Sequence, residues 1–141
     1  MTEVASDEKL QGTWKLVEVR GDVTATLGKS PHGFFTFGRD GRALVLITGE
    51  KRPMVSDLAQ MTDLERIDLF KTMLAYGGTY NFDGKELRIQ VDIAWNEYWL
   101  GTEQVRFAKL EGEKLELSTP LMPSIVDGKP TSTVLIWEKL G

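Results

Sequence analysis

Four times in this chain an acidic residue followed by glycine lies between or just before short segments of alternating apolar and polar character: Asp40-Gly41, Asp83-Gly84, Glu111-Gly112 and Asp127-Gly128. Glycine supplies the positive φ that a tight reversal needs, so each pair marks a hairpin turn. The segments are 34–38 and 42–48, 79–82 and 86–95, 105–110 and 114–118, with 131–138 following the last turn. Together with Gly12–Arg20 at the head of the chain they predict an antiparallel meander of about eight strands. Such a meander must split into two sheets or close on itself, and closure removes the exposed edges. At about eight strands a closed sheet is just wide enough to be filled by side chains or to hold one small ligand.

The stretch from Leu87 to Phe107 carries the clearest pattern. Leu87, Ile89, Val91, Ile93 and Trp95 take every second position, with Arg88, Gln90, Asp92, Ala94 and Asn96 between them. That is the period of a strand with one buried face. A turn at Asn96-Glu97 leads through Tyr98-Trp99 to a return strand in which Gln104, Arg106, Ala108 and Leu110 share one face. In the first strand the same alternation sets Trp14, Leu16 and Glu18 against Lys15, Val17 and Val19. Segment 21–33, punctuated by Gly21, Gly28, Pro31 and Gly33, reads as a long loop with room for a short strand at Val23 to Thr26. Between Pro53 and Gly77 the period lengthens to about 3.6. There Thr62-Asp63-Leu64-Glu65 has the form of a capping box, and Ile67, Phe70 and Leu74 fall on one stripe flanked by Leu64 and Met73. One helix over residues 63–75 is therefore predicted between the third and fourth strands.

At 141 residues the chain can bury one hydrophobic core without staples. Residues 10–141 are expected to form a single domain, and residues 1–9, which lack an apolar period, a mobile tail. The longest purely apolar run, Ala43 to Ile47, is far short of the ~20 residues of a membrane-spanning helix. The polar, acidic N-terminus has no signal-peptide character, so neither export nor membrane contact is expected. Having no cysteine rules out disulfides and thiolate chemistry and suits a reducing compartment, which makes the cytoplasm the expected location. The net charge is −4 and the cations are scattered, so the basic footprint of a nucleic-acid binder is missing.

Gly12-x-Trp14 resembles the Gly-x-Trp signature of lipocalins, in which the Trp closes one end of a barrel. Further motifs follow in order: Leu27-Gly28-x-x-Pro31-x-Gly33, the Phe-rich strand with Asp40-Gly41, and Ala75-Tyr76-x-Gly78-x-Tyr80. Trp99-x-Gly101-Thr102 with Gln104 and Arg106, and the ending Thr131-Ser132-Thr133 to Trp137-Glu138, complete the set. From Gly12 to Glu138 this order resembles the bacterial and fungal lipocalin-like domain family. The resemblance implies a mainly β, stand-alone antiparallel barrel of eight to ten strands with a helix between the third and fourth, and for most members no assigned activity. One departure matters. Where many members carry a His-His pair ahead of Val-Glu in the fifth strand, this chain has Ile89-Gln90-Val91-Asp92, so the chemistry of those histidines does not carry over. Asp92 keeps an acid at the corresponding place.

With one histidine and no cysteine, the side chains offer no cluster for a transition metal, and no segment has Ca²⁺-loop spacing. Neither a metal nor a cofactor is expected. The candidates for acid–base work are Asp92, Glu103, His32 and Tyr76, with Tyr80 beside them. Each has a plain alternative: solvated charges for the acids, a loop position for His32, packing for the tyrosines. For ligand binding, Trp95 ends one strand and Trp99 begins the return, so these two can converge with Phe35, Tyr80 and Arg106 on one cavity. An inward Arg106 would either hold a protein carboxylate or await an anionic or carbonyl group on a ligand. The basic loop Gly49-Glu50-Lys51-Arg52-Pro53-Met54 is a solvated turn or a contact for an anion at the barrel mouth. Three functions stay open. The chain binds a small, mostly apolar or aromatic molecule inside the barrel; or it isomerises, cyclises, hydrates or cleaves such a molecule without a cofactor; or the barrel is packed solid and serves a partner through its surface. A small-molecule partner is expected, and homodimer formation is open.

Overall fold

The computed structural model describes residues 8–21, 24–123 and 128–140. In chain order the elements are β1 (Gly12–Arg20), a helical turn α1 (Thr24–Leu27), β2 (His32–Phe37), β3 (Arg42–Thr48) and α2 (Asp63–Lys71). β4 (Met73–Phe82), β5 (Glu86–Ala94), β6 (Glu103–Glu111) and β7 (Lys114–Ser118) follow, then β8 (Met122–Pro123), β9 (Pro130–Thr131) and β10 (Val134–Leu140). Eight strands close into an antiparallel barrel in the order β1-β10-β7-β6-β5-β4-β3-β2, and β8 and β9 pair apart from it. The expected acidic-glycine turns join β2 to β3, β4 to β5 and β6 to β7, with Gly41 at φ 85° and Gly84 at φ 98°. Asp127 of the fourth turn lies outside the described residues.

These three hairpins, the start of β1 and the end of β10 define one end of the barrel, since Gly12 pairs with Phe37 and Thr13 with Leu140. The longer connections, including α2 and the Trp95–Thr102 turn, lie at the other end, the mouth. Trp14 and Trp137 are fully buried toward the hairpin end. The Trp14 indole donates to the Leu10 carbonyl at 2.8 Å, and the Lys139 ammonium sits 5.5 Å from its ring centre. Phe35 stacks on Phe37 at 4.4 Å and meets the Trp137 ring edge-on at 5.4 Å. This end is closed by packed aromatics, as the Gly-x-Trp signature implies. Leu10 belongs to a helical turn at residues 8–10, and residues 1–7 lie outside the description.

Two bulges correct the simple alternation. In β1 the register against β10 slips between Leu16 and Glu18, so Val19 joins Trp14 and Leu16 inside while Glu18 and Val17 stay out, Val17 being 48% exposed. In β5 the register against β4 slips at Asp92, with Gly77 opposite Ile93 but Gly78 opposite Val91. An extra residue on one strand reverses the faces beyond it. Ile93 is therefore turned outward, 59% exposed, and Ala94 takes the inward position beside Tyr76. Gly78 lies at this slip because a Cβ there would come 1.7 Å from the Gln90 carbonyl oxygen.

The helix forms where expected but is shorter. Thr62 caps it, its hydroxyl accepting from the Glu65 amide at 3.1 Å while its own amide donates to the Glu65 carboxylate at 2.9 Å. It ends at Lys71 and not at Ala75, because Met73 and Leu74 pair with Thr48 and Ile47 and so belong to β4. The expected stripe is thereby divided: Leu74 packs against the core, whereas Ile67 and Phe70 remain about half exposed. Residues 24–26 of the anticipated short strand are helical, as part of α1, and Val23 lies outside the described residues. Among the described residues no helix is long and apolar enough to cross a membrane.

Candidate ligand site at the barrel mouth

The inner wall near the mouth is built by β4, β5 and β6. Leu74, Tyr76 and Gly78 alternate inward on β4, and Gln104 and Arg106 do so on β6, opposite the buried Ile89 and Leu87 of β5. Arg106 thus faces the interior, on the side shared with Ala108 and Leu110, which pack against the core. Over these residues stand the aromatics of the turn that closes β5 against β6. Asn96 caps that turn, accepting from the Tyr98 amide at 3.1 Å, which sets Trp99 inward and leaves Tyr98 85% exposed at the rim.

Trp99 lies 5.2 Å from Tyr76 and 5.5 Å from Trp95, ring centre to ring centre, and Trp95 lies 6.1 Å from Phe70 of α2. The Trp95 indole donates to the Phe70 carbonyl at 3.3 Å. Arg52 donates to the Thr72 hydroxyl at 3.1 Å and the Leu69 carbonyl at 2.8 Å, so this cation of the basic loop fastens the helix C-terminus. The helix is held near its C-terminal end, with Phe70 against Trp95 and Ile67 and Phe70 each about half exposed.

Below the aromatics runs a chain of part-buried polar groups. Arg106 donates from Nη1 to the Val105 carbonyl at 2.8 Å and from Nη2 to the Gln104 side-chain oxygen at 3.4 Å. Gln104 in turn donates to the Thr102 hydroxyl at 2.8 Å, and Thr102 to the Trp99 carbonyl at 2.6 Å. Tyr76 is 4% exposed and makes no hydrogen bond among the described residues. Burial raises its hydroxyl above the ordinary tyrosine range, partly offset by the positive charge of Arg106. At neutral pH it is a neutral donor, not a base.

The remaining candidates lie elsewhere. Asp92 is on the outer wall, where Arg42 grips both its oxygens at 2.8 and 2.9 Å and holds the carboxyl below the ordinary carboxylate range. Glu103 is also outside, paired with Arg88 at 2.8 Å and hydrogen-bonded to Gln90. His32 opens β2 on the outer face, opposite Thr48. Phe35 and Tyr80 do face inward but belong to the packed half: Tyr80 meets Phe37 at 5.2 Å and donates to the Gly38 carbonyl at 2.9 Å. The structure gathers Trp95, Trp99 and Tyr76 by ring contacts and links Arg106 to Trp99 through Gln104 and Thr102, while Asp92, Glu103 and His32 lie on the outer face and Phe35 and Tyr80 face inward against Phe37.

Gln104, Thr102 and Phe70 were missed as members of this group. The period-two spacing of Gln104 and Arg106 already put Gln104 on the same face; no local pattern signals Phe70. Clefts among the described residues lie away from the inner wall of the mouth and open to solvent, two of them sizeable. One, of about 670 Å³, lies at the hairpin end between Phe82, Leu110 and Lys139; the other, of about 450 Å³, is on the outer wall beside Leu44, Gly77 and Ile93. We take the mouth as the candidate site because Arg106 and Tyr76, which face inward there, keep donors without acceptors among the described residues, beside rings that are only part-buried. Among the described residues no three His, Cys, Asp or Glu side chains converge as metal ligands. The family model of the lipocalin-like domain matches residues 11–140. No curated protein matches the chain significantly.

Proposed function

Since the chain belongs to the lipocalin-like domain family, we propose that it binds a small, mostly apolar or aromatic molecule within the mouth half of its barrel. The observation that carries this reading is the run of ring contacts from Tyr76 through Trp99 to Trp95, set over the inward Arg106 and Gln104. Apolar walls with a few orienting polar groups are the usual make-up of a small-molecule site. Entry would part Trp99 from Tyr76 or Trp95, and α2, which Arg52 and Trp95 fasten near its C-terminal end, would yield to that movement.

What supports binding over turnover is the whereabouts of the acids. Of the groups considered for acid–base work, Tyr76 and Tyr80 alone face inward, Tyr80 hydrogen-bonded in the packed half, while Asp92 and Glu103 are engaged by arginines on the outer wall. The test is titration with 2-naphthalenemethanol, read by tryptophan fluorescence and calorimetry, in the wild type and in Trp99→Ala. Saturable binding by the wild type and its loss in a folded variant is the expected result. Equal binding by both would refute the placement.

A further inference from the structure

Resting on that reading, the geometry points to an aromatic carboxylate as the ligand class. Arg106 and Tyr76 take the carboxylate on the inner wall, and Trp99 and Trp95 cover the ring.

Arg20, Arg42, Arg66 and Arg88 are exposed, and each is paired with a carboxylate. Arg106 points into the barrel, where an unpaired charge is most costly, yet it has no carboxylate partner among the described residues. A guanidinium has five N–H donors in a planar fork. Among the described residues those of Arg106 reach its neighbour's carbonyl and, at longer range, Gln104, which leaves Nε–H and further Nη hydrogens without an acceptor there. Tyr76 is the second sign: a buried tyrosine on the same inner wall whose hydroxyl has no hydrogen-bond partner among the described residues, and which feels the charge of Arg106.

Two unfilled donors on one inner wall call for an acceptor that brings negative charge. A planar carboxylate matches the guanidinium fork with two parallel hydrogen bonds and still offers a lone pair to the tyrosine hydroxyl. A dianionic phosphate fits less well, because a single cation would leave its second charge buried and uncompensated. The aromatic body follows from Trp99 and Trp95, part-buried rings of which Trp99 packs against Tyr76.

The test compares 2-naphthoate with its neutral counterpart 2-naphthalenemethanol on the full chain, by calorimetry at neutral pH. The wild type should bind the acid about tenfold or more tightly than the alcohol, as a charge-assisted hydrogen-bonded pair requires. In Arg106→Met that ratio should fall to near one, and in Tyr76→Phe part of the way. If the wild type binds the alcohol as tightly as the acid, the carboxylate inference is overturned while the binding function stands. If it binds neither, the function and the inference fall together. A preference for the acid that survives in folded Arg106→Met also overturns the assignment. Should Arg106→Met not fold, Arg106→Lys, which keeps the charge and loses the fork, takes its place beside Tyr76→Phe. An unchanged ratio in both of those variants contradicts the proposal.

Discussion

The two halves of this barrel share the same strands and differ in what their inner walls leave unfinished. Toward the hairpin end Trp14, Phe35, Phe37 and Trp137 are buried in mutual contact, the Trp14 indole is hydrogen-bonded and the Tyr80 hydroxyl has the Gly38 carbonyl. One donor there, Trp137 Nε1, has no hydrogen-bond partner among the described residues, and its ring is closed in by the edge contact with Phe35. Toward the mouth Trp95 and Trp99 are only part-buried, and Arg106 and Tyr76 keep donors without acceptors among the described residues. A core that seals its wall contributes stability, whereas a wall with polar groups left over is organised for something that arrives later. On the proposed reading, labour is divided along one barrel, with stability at the hairpin end and recognition at the mouth.

Substitutions should separate the halves. The largest effect belongs to Trp14→Ala, which removes a fully buried ring and should cost about 3–5 kcal/mol in denaturant unfolding. A loss below about 1 kcal/mol would break the comparison at its stable end. Gly78→Ala comes next: its Cβ would meet the Gln90 carbonyl at 1.7 Å, so the β4–β5 pairing must shift at a cost of about 1–3 kcal/mol, visible as a lower melting temperature. Trp99→Ala should cost less, about 1–2 kcal/mol, because its ring is only part-buried, and should abolish binding of the naphthalene probes. If it destabilised the fold as much as Trp14→Ala does, the mouth would be ordinary core.

The smallest effect lies on the outer wall. Arg42 holds Asp92 below the ordinary carboxylate range, so in the folded chain its proton leaves more readily than in the unfolded one. The pair's contribution is then present in full above an ordinary aspartate pKa of about 3.9 and is lost as pH falls through the lower folded value. Arg42→Met should return the Asp92 carboxyl signal in an NMR titration to the ordinary range. The stability difference between wild type and variant should be small at neutral pH and should vanish in acid. A midpoint for Asp92 that does not move would contradict the assignment.

The barrel was legible because its signals are local. Glycine after an acid marks the turns, period two marks the strands, and Thr62 with Glu65 marks the start of α2. What stayed hidden depends on register between strands. Nothing in the order of residues says that the faces slip between Leu16 and Glu18 or at Asp92, so period two alone puts Val19 and Ile93 on the wrong faces and strand pairing decides them. The end of α2 was hidden for a related reason: Leu74 continues the helical stripe of Ile67 and Phe70, and it also leads the strand alternation of Tyr76 and Gly78, and pairing with Ile47 decides between them. The inward Arg106 followed from its two apolar neighbours on the same face. The ion pair between Arg42 and Asp92 joins residues fifty positions apart, and no local pattern could reveal it.

The four tryptophans offer the most direct test, since each has its own indole N–H signal in a ¹H–¹⁵N correlation spectrum, two from each half of the barrel. With those four signals assigned, 2-naphthoate is titrated into the wild-type chain. The account predicts that Trp95 and Trp99 shift progressively and saturably while Trp14 and Trp137 hold their positions. Saturable movement of Trp14 or Trp137 with Trp95 and Trp99 unmoved would place the ligand in the half assigned to stability and contradict the account.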